Sequence, residues 1–260
     1  MKLRSRLLLT TLCALLVPVL VALAVAAAVV VRNSGRAQAA RYRSVMDQVM
    51  GDISATEDRY RSAITPISLS DTLQTKLYVY STYWDLISKD TLAGDIDVLR
   101  DDLETHLLHD GIDTIAAYRR DGDHYATVAV VGNSTYIRDI IPLGTPQQLE
   151  GPEYSQTSDG IYATFYRTVV RGGVSIGCIA LQKGFNREYL EALHLRFAAG
   201  IALYAQGLYR YSSLPGIETA GVLWTRSRSM TAGSFSGFYA FQGHPYRYLG
   251  SYIALGSANG

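Results

Sequence analysis

The chain opens on an uncharged apolar run from Leu7 to Val31, preceded by Lys2, Arg4 and Arg6. As a helix, a run of this length covers the roughly 30 Å of a bilayer's hydrocarbon core. A cleavable signal peptide would have a similar basic start but an apolar core of only about 7–15 residues. Ala24-Val25-Ala26 is formally cleavage-like, yet the length of the run favours an uncleaved anchor, with Pro18 as a tolerated kink. Beyond it, Val45, Val49, Ile53, Tyr60 and Ile64 recur at three-, four- and seven-residue steps, the pattern of one apolar helix face. Pro66 interrupts this pattern, and Leu73, Leu77, Tyr80, Trp84 and Ile87 restart it. A third helix is predicted from Asp95 to about His109, with Ile96, Leu99, Leu103 and Leu107 on one side and Asp110-Gly111 as its stop.

From Asp113 the period changes to that of strands. Ile112–Arg119 and His124–Val131 flank Arg120-Asp121-Gly122-Asp123, and Asp-Gly suits a tight hairpin turn. Residues 132–159 carry Gly, Pro, Asn and Ser breakers and read as a long irregular segment. A second hairpin, Ile161–Val170 with Val174–Gln182, turns on Arg171-Gly172-Gly173. Asn186–Phe197 is predicted as a short amphipathic helix, with Tyr189, Leu190, Leu193 and Phe197 on one face. Further strands are predicted at about 200–211, 221–226, 235–242 and 245–255, the last pair turning on Gly243-His244-Pro245. The fold class is α+β: a transmembrane helix continuing into long helices, then an antiparallel sheet with flanking helices.

Charge and composition narrow the function classes. Setting aside Lys2, Arg4 and Arg6 leaves 21 of the 24 basic residues against 23 acidic ones, which is no footprint for nucleic acid. Basic residues flank both ends of the apolar run, with Arg32, Arg36, Arg41 and Arg43 past its far end, so charge bias nearly balances. A short basic tail before an N-terminal anchor favours export of the chain beyond the anchor. Cys13 lies in the apolar run and Cys178 is alone in the remainder, so neither an intrachain disulfide nor a thiolate metal cluster is expected. His106 and His109 are helix neighbours, but HExxH is absent, and His124, His194 and His244 are scattered. No phosphate loop or dinucleotide glycine fingerprint occurs, and no cofactor or metal is indicated.

Trp84-Asp85, the hairpin on Asp121-Gly122, the run Gly173-Val174-Ser175-Ile176-Gly177 and Phe185-Asn186-Arg187-Glu188-Tyr189-Leu190 resemble extracytoplasmic Cache/CHASE-type sensor domains. The strand entering at Ile201 and Gly243-His244-Pro245-Tyr246-Arg247 continue the likeness, which covers about residues 36–260. The resemblance implies a bacterial receptor with a PAS-like sheet that holds a small molecule and a long helix that pairs with its copy as a homodimer. It also implies a second membrane span leading to a histidine kinase, chemoreceptor or diguanylate cyclase module, with the chain at hand stopping before that span. On this reading residues 1–35 are cytoplasmic tail and anchor in the inner membrane. Residues 36–260 are a periplasmic, non-enzymatic sensor region, helical over 36–110, PAS-like over 111–200 and extended by strands over 201–260.

A sensing pocket needs apolar walls and a few fixed polar groups. Among the nineteen tyrosines, Tyr118, Tyr125, Tyr162 and Tyr166 fall on predicted strands and offer both ring and hydroxyl. Arg138, Asp139 and Arg167 could fix a carboxylate or an amine. Trp84 and Asp85 are either helix core and cap or the pocket rim where helix meets sheet. The same residues would also suit half-buried sheet faces, and an envelope assembly protein or an anchored hydrolase would fit the composition as well.

Overall fold

The computed structural model describes residues 2–133, 136–148, 151–157, 160–205, 208–213, 234–241 and 244–251. The side chains of residues 2–22, and those of the strands beyond residue 203, lie outside the described set. The chain divides into two compact units, Met1–Gln48 and Val49–Gly260. Helix α1 (Lys2–Ser68) supplies the first unit and begins the second. In the first unit Leu23, Val25, Val29, Val30 and Val31 are exposed. Among the described residues no helix is long and apolar enough to cross a membrane, and most side chains of the run Leu7–Val31 lie outside the described set.

In the second unit the helices follow from their caps. Pro66 does not end α1: it sits in the last turn, where Leu69 N donates to Pro66 O at 3.1 Å. Ser70 then caps α2 (Asp71–Tyr83), its hydroxyl accepting from Leu73 N at 3.5 Å. A short 3-10 turn, Trp84–Leu86, leads to Ser88, which caps α3 (Lys89–Asp110) through Thr91 N. The third helix thus starts six residues before the predicted Asp95, because its first turn is fixed by a cap and not by an apolar stripe. Gly111, at φ +61°, closes it in the left-handed conformation common at helix ends.

The sheet is built from β1 (Thr114–Asp121), β2 (His124–Gly132), β3 (Ile140–Pro142), β4 (Glu153–Gln156), β5 (Gly160–Arg171) and β6 (Val174–Asn186). All neighbours are antiparallel, in the order β3-β2-β1-β6-β5-β4, so the two long hairpins join through β1 and β6. The α+β class expected from the sequence is the observed one. The segment 132–159, expected to be irregular, instead contains β3, a four-residue helix α4 (Thr145–Gln148) and β4. Those strands are three and four residues long, too short for a period of two to register in sequence.

Alternation along the strands divides the core in two. One sheet face meets the helices: Phe165 lies 5.7 Å from the ring of Tyr60, and a Cβ added to Gly177 would stand 2.8 Å from Leu77 Cδ1. Ile53, Tyr60, Ile64, Ile67, Leu73, Leu77, Tyr80, Leu99 and Leu103 are buried there, each worth roughly 1.5–3 kcal/mol of apolar transfer. The opposite face carries a second buried cluster of Ala116, Tyr118, Tyr125, Ile141, Cys178 and Ala180. Val130, Ile137, Leu143 and Tyr166 pack against it, so part of its cover comes from the segment after β2.

Asn186 caps α5 (Arg187–Phe197) by accepting from Tyr189 N at 3.1 Å. The strand predicted at 200–211 is two short ones, β7 (Ala202–Ala205) and β8 (Leu208–Ser212), paired with each other. β9 (Ser234–Phe241) and β10 (His244–Ser251) form a second separate pair, as the predicted 235–242 and 245–255 anticipate. The strand expected at 221–226, and Gly243, lie outside the described residues.

Candidate functional site

On the face away from the helices, the register aligns polar side chains in a row. Glu153 on β4 is opposite Thr164 on β5, Thr164 is opposite Gln182 on β6, and Gln182 is opposite Thr114 on β1. Thr164 and Gln182 are buried. Gln182 Nε2 donates to Thr164 Oγ1 at 3.0 Å and to Tyr136 O at 3.3 Å, tying the sheet to the segment above it. Thr114 Oγ1 donates to Asn133 O at 2.9 Å, a second tie to the same segment. Tyr136 lies against Tyr162, with ring centroids 4.5 Å apart.

Next to this row a charged network closes the rim. Arg138 makes an ion pair with Glu153, whose other carboxylate oxygen accepts from Tyr166 Oη at 2.9 Å. The Arg138 side chain is 53% exposed and that of Glu153 only 25%, so the carboxylate faces inward while the guanidinium reaches solvent. Burial, reinforced by the Glu153 charge, holds the Tyr166 hydroxyl far above its ordinary pKa. Tyr118 is likewise raised, first by burial, and lies within reach of the Arg138 and Asp139 charges. Thr127 N donates to Asp139 O, and its hydroxyl also donates to Asp139 O, both at 2.9 Å, which pins the Arg138-Asp139 pair against β2. Burial pushes the neighbouring Cys178 thiol up to about 12, so it stays a neutral wall.

Six of the nine residues singled out from the sequence therefore share this side of the sheet: Tyr118, Tyr125, Arg138, Asp139, Tyr162 and Tyr166. Tyr125 is at the far end of the face, its hydroxyl 2.8 Å from Ser175 Oγ. Three residues are elsewhere. Trp84 is on the helix side, with the Arg119 guanidinium 4.4 Å above its ring and Tyr80 edge-on at 5.7 Å. Asp85 is exposed in the 3-10 turn. Arg167 is exposed and has the strand parity of Phe165, which faces the helices. Six members of the polar row and network lie outside the residues that the sequence singles out: Thr114, Thr127, Tyr136, Glu153, Thr164 and Gln182. Gln182 carries a readable signal, a lone amide at the end of the apolar strand 174–182. Glu153 and Tyr136 fall in the stretch whose breakers mask its short strands.

The helix side is bound to the same strands by tyrosine–carboxylate pairs. Tyr154 on β4, the neighbour of Glu153, donates to Glu57 of α1. Tyr189 of α5 donates to Asp52 of α1 at 3.0 Å, and Arg196 donates to the same carboxylate at 2.6 Å. Asp113 N donates to Tyr60 Oη at 2.8 Å, while the Asp113 carboxylate accepts from Lys183 Nζ and Gly184 N. The face opposite the helices thus offers neutral hydroxyls, an amide, an apolar floor and one rim ion pair. That inventory suits recognition of a small polar molecule. Among the described residues no group of three or more His, Cys, Asp or Glu side chains is placed to hold a metal ion.

No family model and no curated protein matches this chain. Solved structures similar to it include the sensor domain of the V. cholerae histidine kinase DctB, at 17% identity and a TM-score of 0.46. That match covers 67% of this chain and 66% of the DctB domain, slightly under two thirds of the latter. The sensory domain of the Campylobacter jejuni chemoreceptor Tlp3, in a structure with isoleucine bound, matches at 11% identity and a TM-score of 0.44, covering 79% of this chain and 82% of that one. A domain of a sensory box/GGDEF family protein from Vibrio parahaemolyticus matches at 14% identity and a TM-score of 0.38, over 80% of this chain and 96% of that one.

Proposed function

We propose that residues 36–260 form the extracytoplasmic, ligand-sensing input region of a bacterial membrane receptor, anchored through residues 1–35. The observation that carries this reading is the Tyr166–Glu153–Arg138 network, packed on the buried cluster that holds Tyr118 and lying one residue along β4 from a bond to α1. A small molecule that engages Arg138 or Tyr166 competes with Glu153 for its partners. Such competition alters the setting of β4 and, through Tyr154, of Glu57. A ligand shifts a two-state receptor only by its differential affinity for the two states, and this chain of contacts supplies a difference between them. The exposed Leu23, Val25, Val29, Val30 and Val31 support lipid as the surroundings of the first unit, since apolar surface of that kind is unfavourable in water. The output module in this proposal is a histidine kinase, chemoreceptor or diguanylate cyclase.

The test is a thermal-shift screen of the full chain in detergent against a broad panel of metabolites, repeated on Tyr118→Phe and Arg138→Ala. A compound that raises the Tm of the wild type, and does so less in either variant, is the expected result. Absence of any ligand-dependent shift across the panel, or shifts that both variants keep in full, would overturn the reading.

A further inference from the structure

Two buried polar atoms on the site face have no hydrogen-bond partner among the described residues: Gln182 Oε1 and Ser155 Oγ. Gln182 is 2% exposed. Its amide orientation is fixed by chemistry, because the Tyr136 carbonyl oxygen can only accept, so the nitrogen must face it and the oxygen must lie at the other end. A buried acceptor left without a donor costs free energy that a bound donor returns, and such groups in folded proteins call for an explanation. Two carboxylates on the adjoining strands are already engaged. Glu153 is held by Arg138 and Tyr166, and Asp113 by Lys183 and Gly184. A cationic donor would find both of these carboxylates already engaged. Beside the amide stand the rings of Tyr136 and Tyr162, tilted by 38°. Ser155 is opposite Tyr162 in the register, two residues along β4 from Glu153.

The geometry points to Gln182 as the specificity-determining residue of the site: it selects a neutral ligand that presents an N–H or O–H donor on a planar body, of the carboxamide type. This rests on the ligand-sensing reading above. The acceptor is already desolvated by the fold, so a ligand without the donor gains nothing at that position and leaves the acceptor unpaired.

Benzamide and N,N-dimethylbenzamide are probes that differ in the N–H donors. Their dissociation constants for the full chain are measured by ligand-observed NMR titration, on the wild type and on Gln182→Leu. Benzamide is expected to bind the wild type about tenfold more tightly than its dimethyl counterpart, with the ratio falling to near one in Q182L. Equal affinity in the wild type, an unchanged ratio in Q182L, or binding of neither probe at millimolar concentration overturns the inference. Where Q182L fails to fold, Gln182→Met, unbranched and of similar length, replaces it, and the wild-type ratio decides by itself. Ligands from the metabolite panel that act through Tyr118 and Arg138 while the benzamide pair shows no preference sink this inference and leave the sensing function standing.

Discussion

The same substitution at two buried tyrosines separates packing from hydrogen bonding. Tyr60 Oη accepts from Asp113 N, whereas Tyr80 Oη, equally buried, meets no partner among the described residues. Tyr60→Phe leaves a backbone N–H unpaired and is expected to cost about 1–2 kcal/mol in urea unfolding. Tyr80→Phe removes an unsatisfied hydroxyl and is expected to leave the unfolding midpoint unchanged or raised, and a loss comparable to that of Tyr60→Phe would refute this account. Gly177 is constrained from both sides: an added Cβ would stand 2.3 Å from Tyr118 O and 2.8 Å from Leu77 Cδ1. Backbone cannot yield as a side chain does, so Gly177→Ala is expected to destabilise by about 1–3 kcal/mol and to weaken any ligand response routed through Tyr118. Equilibrium unfolding alongside the thermal-shift response checks both parts. The site itself is half legible at this scale. Tyrosines at alternate strand positions can be assigned to a face, but Gln182 gains its meaning from Tyr136 and Thr164, neither of which is its neighbour in sequence.

At the scale of elements, periodicity identifies the long pieces and misses the short ones. The helix face from Val49 to Ile64 and the hairpins on Gly122 and Gly172-Gly173 are readable because apolar spacing and turn chemistry agree there. β3 and β4 are not, since their definition comes from pairing with β2 and β5 and not from their own pattern. β4 nevertheless carries Glu153 toward the site and Tyr154 toward α1. A double-mutant cycle on Tyr154→Phe and Glu57→Gln is expected to give a coupling of about 1 kcal/mol, as for a hydrogen bond to a partly buried carboxylate. Coupling near zero would show that the pair does not hold the strand to the helix.

Across the whole molecule, a shared electrostatic property follows from tyrosine burial. Tyr60, Tyr80, Tyr118, Tyr154, Tyr166 and Tyr189 are all raised, burial being the largest cause at each, with Tyr80 and Cys178 pushed up to about 12. In the unfolded chain these groups lose their protons near their ordinary values, roughly 10 for tyrosine and 8.5 for cysteine. Above those values the folded state binds more protons than the unfolded one, so stability falls as pH rises. The contribution is complete below about pH 8.5 and is lost progressively toward pH 12 and beyond. The Tm is therefore expected to drop steeply between about pH 9 and 11, with tyrosinate absorbance at about 295 nm appearing together with unfolding. Tyrosinate signal from these residues in a still-folded chain would contradict the burial on which the site depends. The pleat of β4 adds a mechanical property to this electrostatic one. Consecutive residues of a pleated strand point in antiphase, so a small roll of β4 about its own axis withdraws Glu153 as it advances Tyr154, by the same angle. The sheet can then pass a displacement from one side to the other as a seesaw does, with the strand as pivot and no side chain crossing the layer.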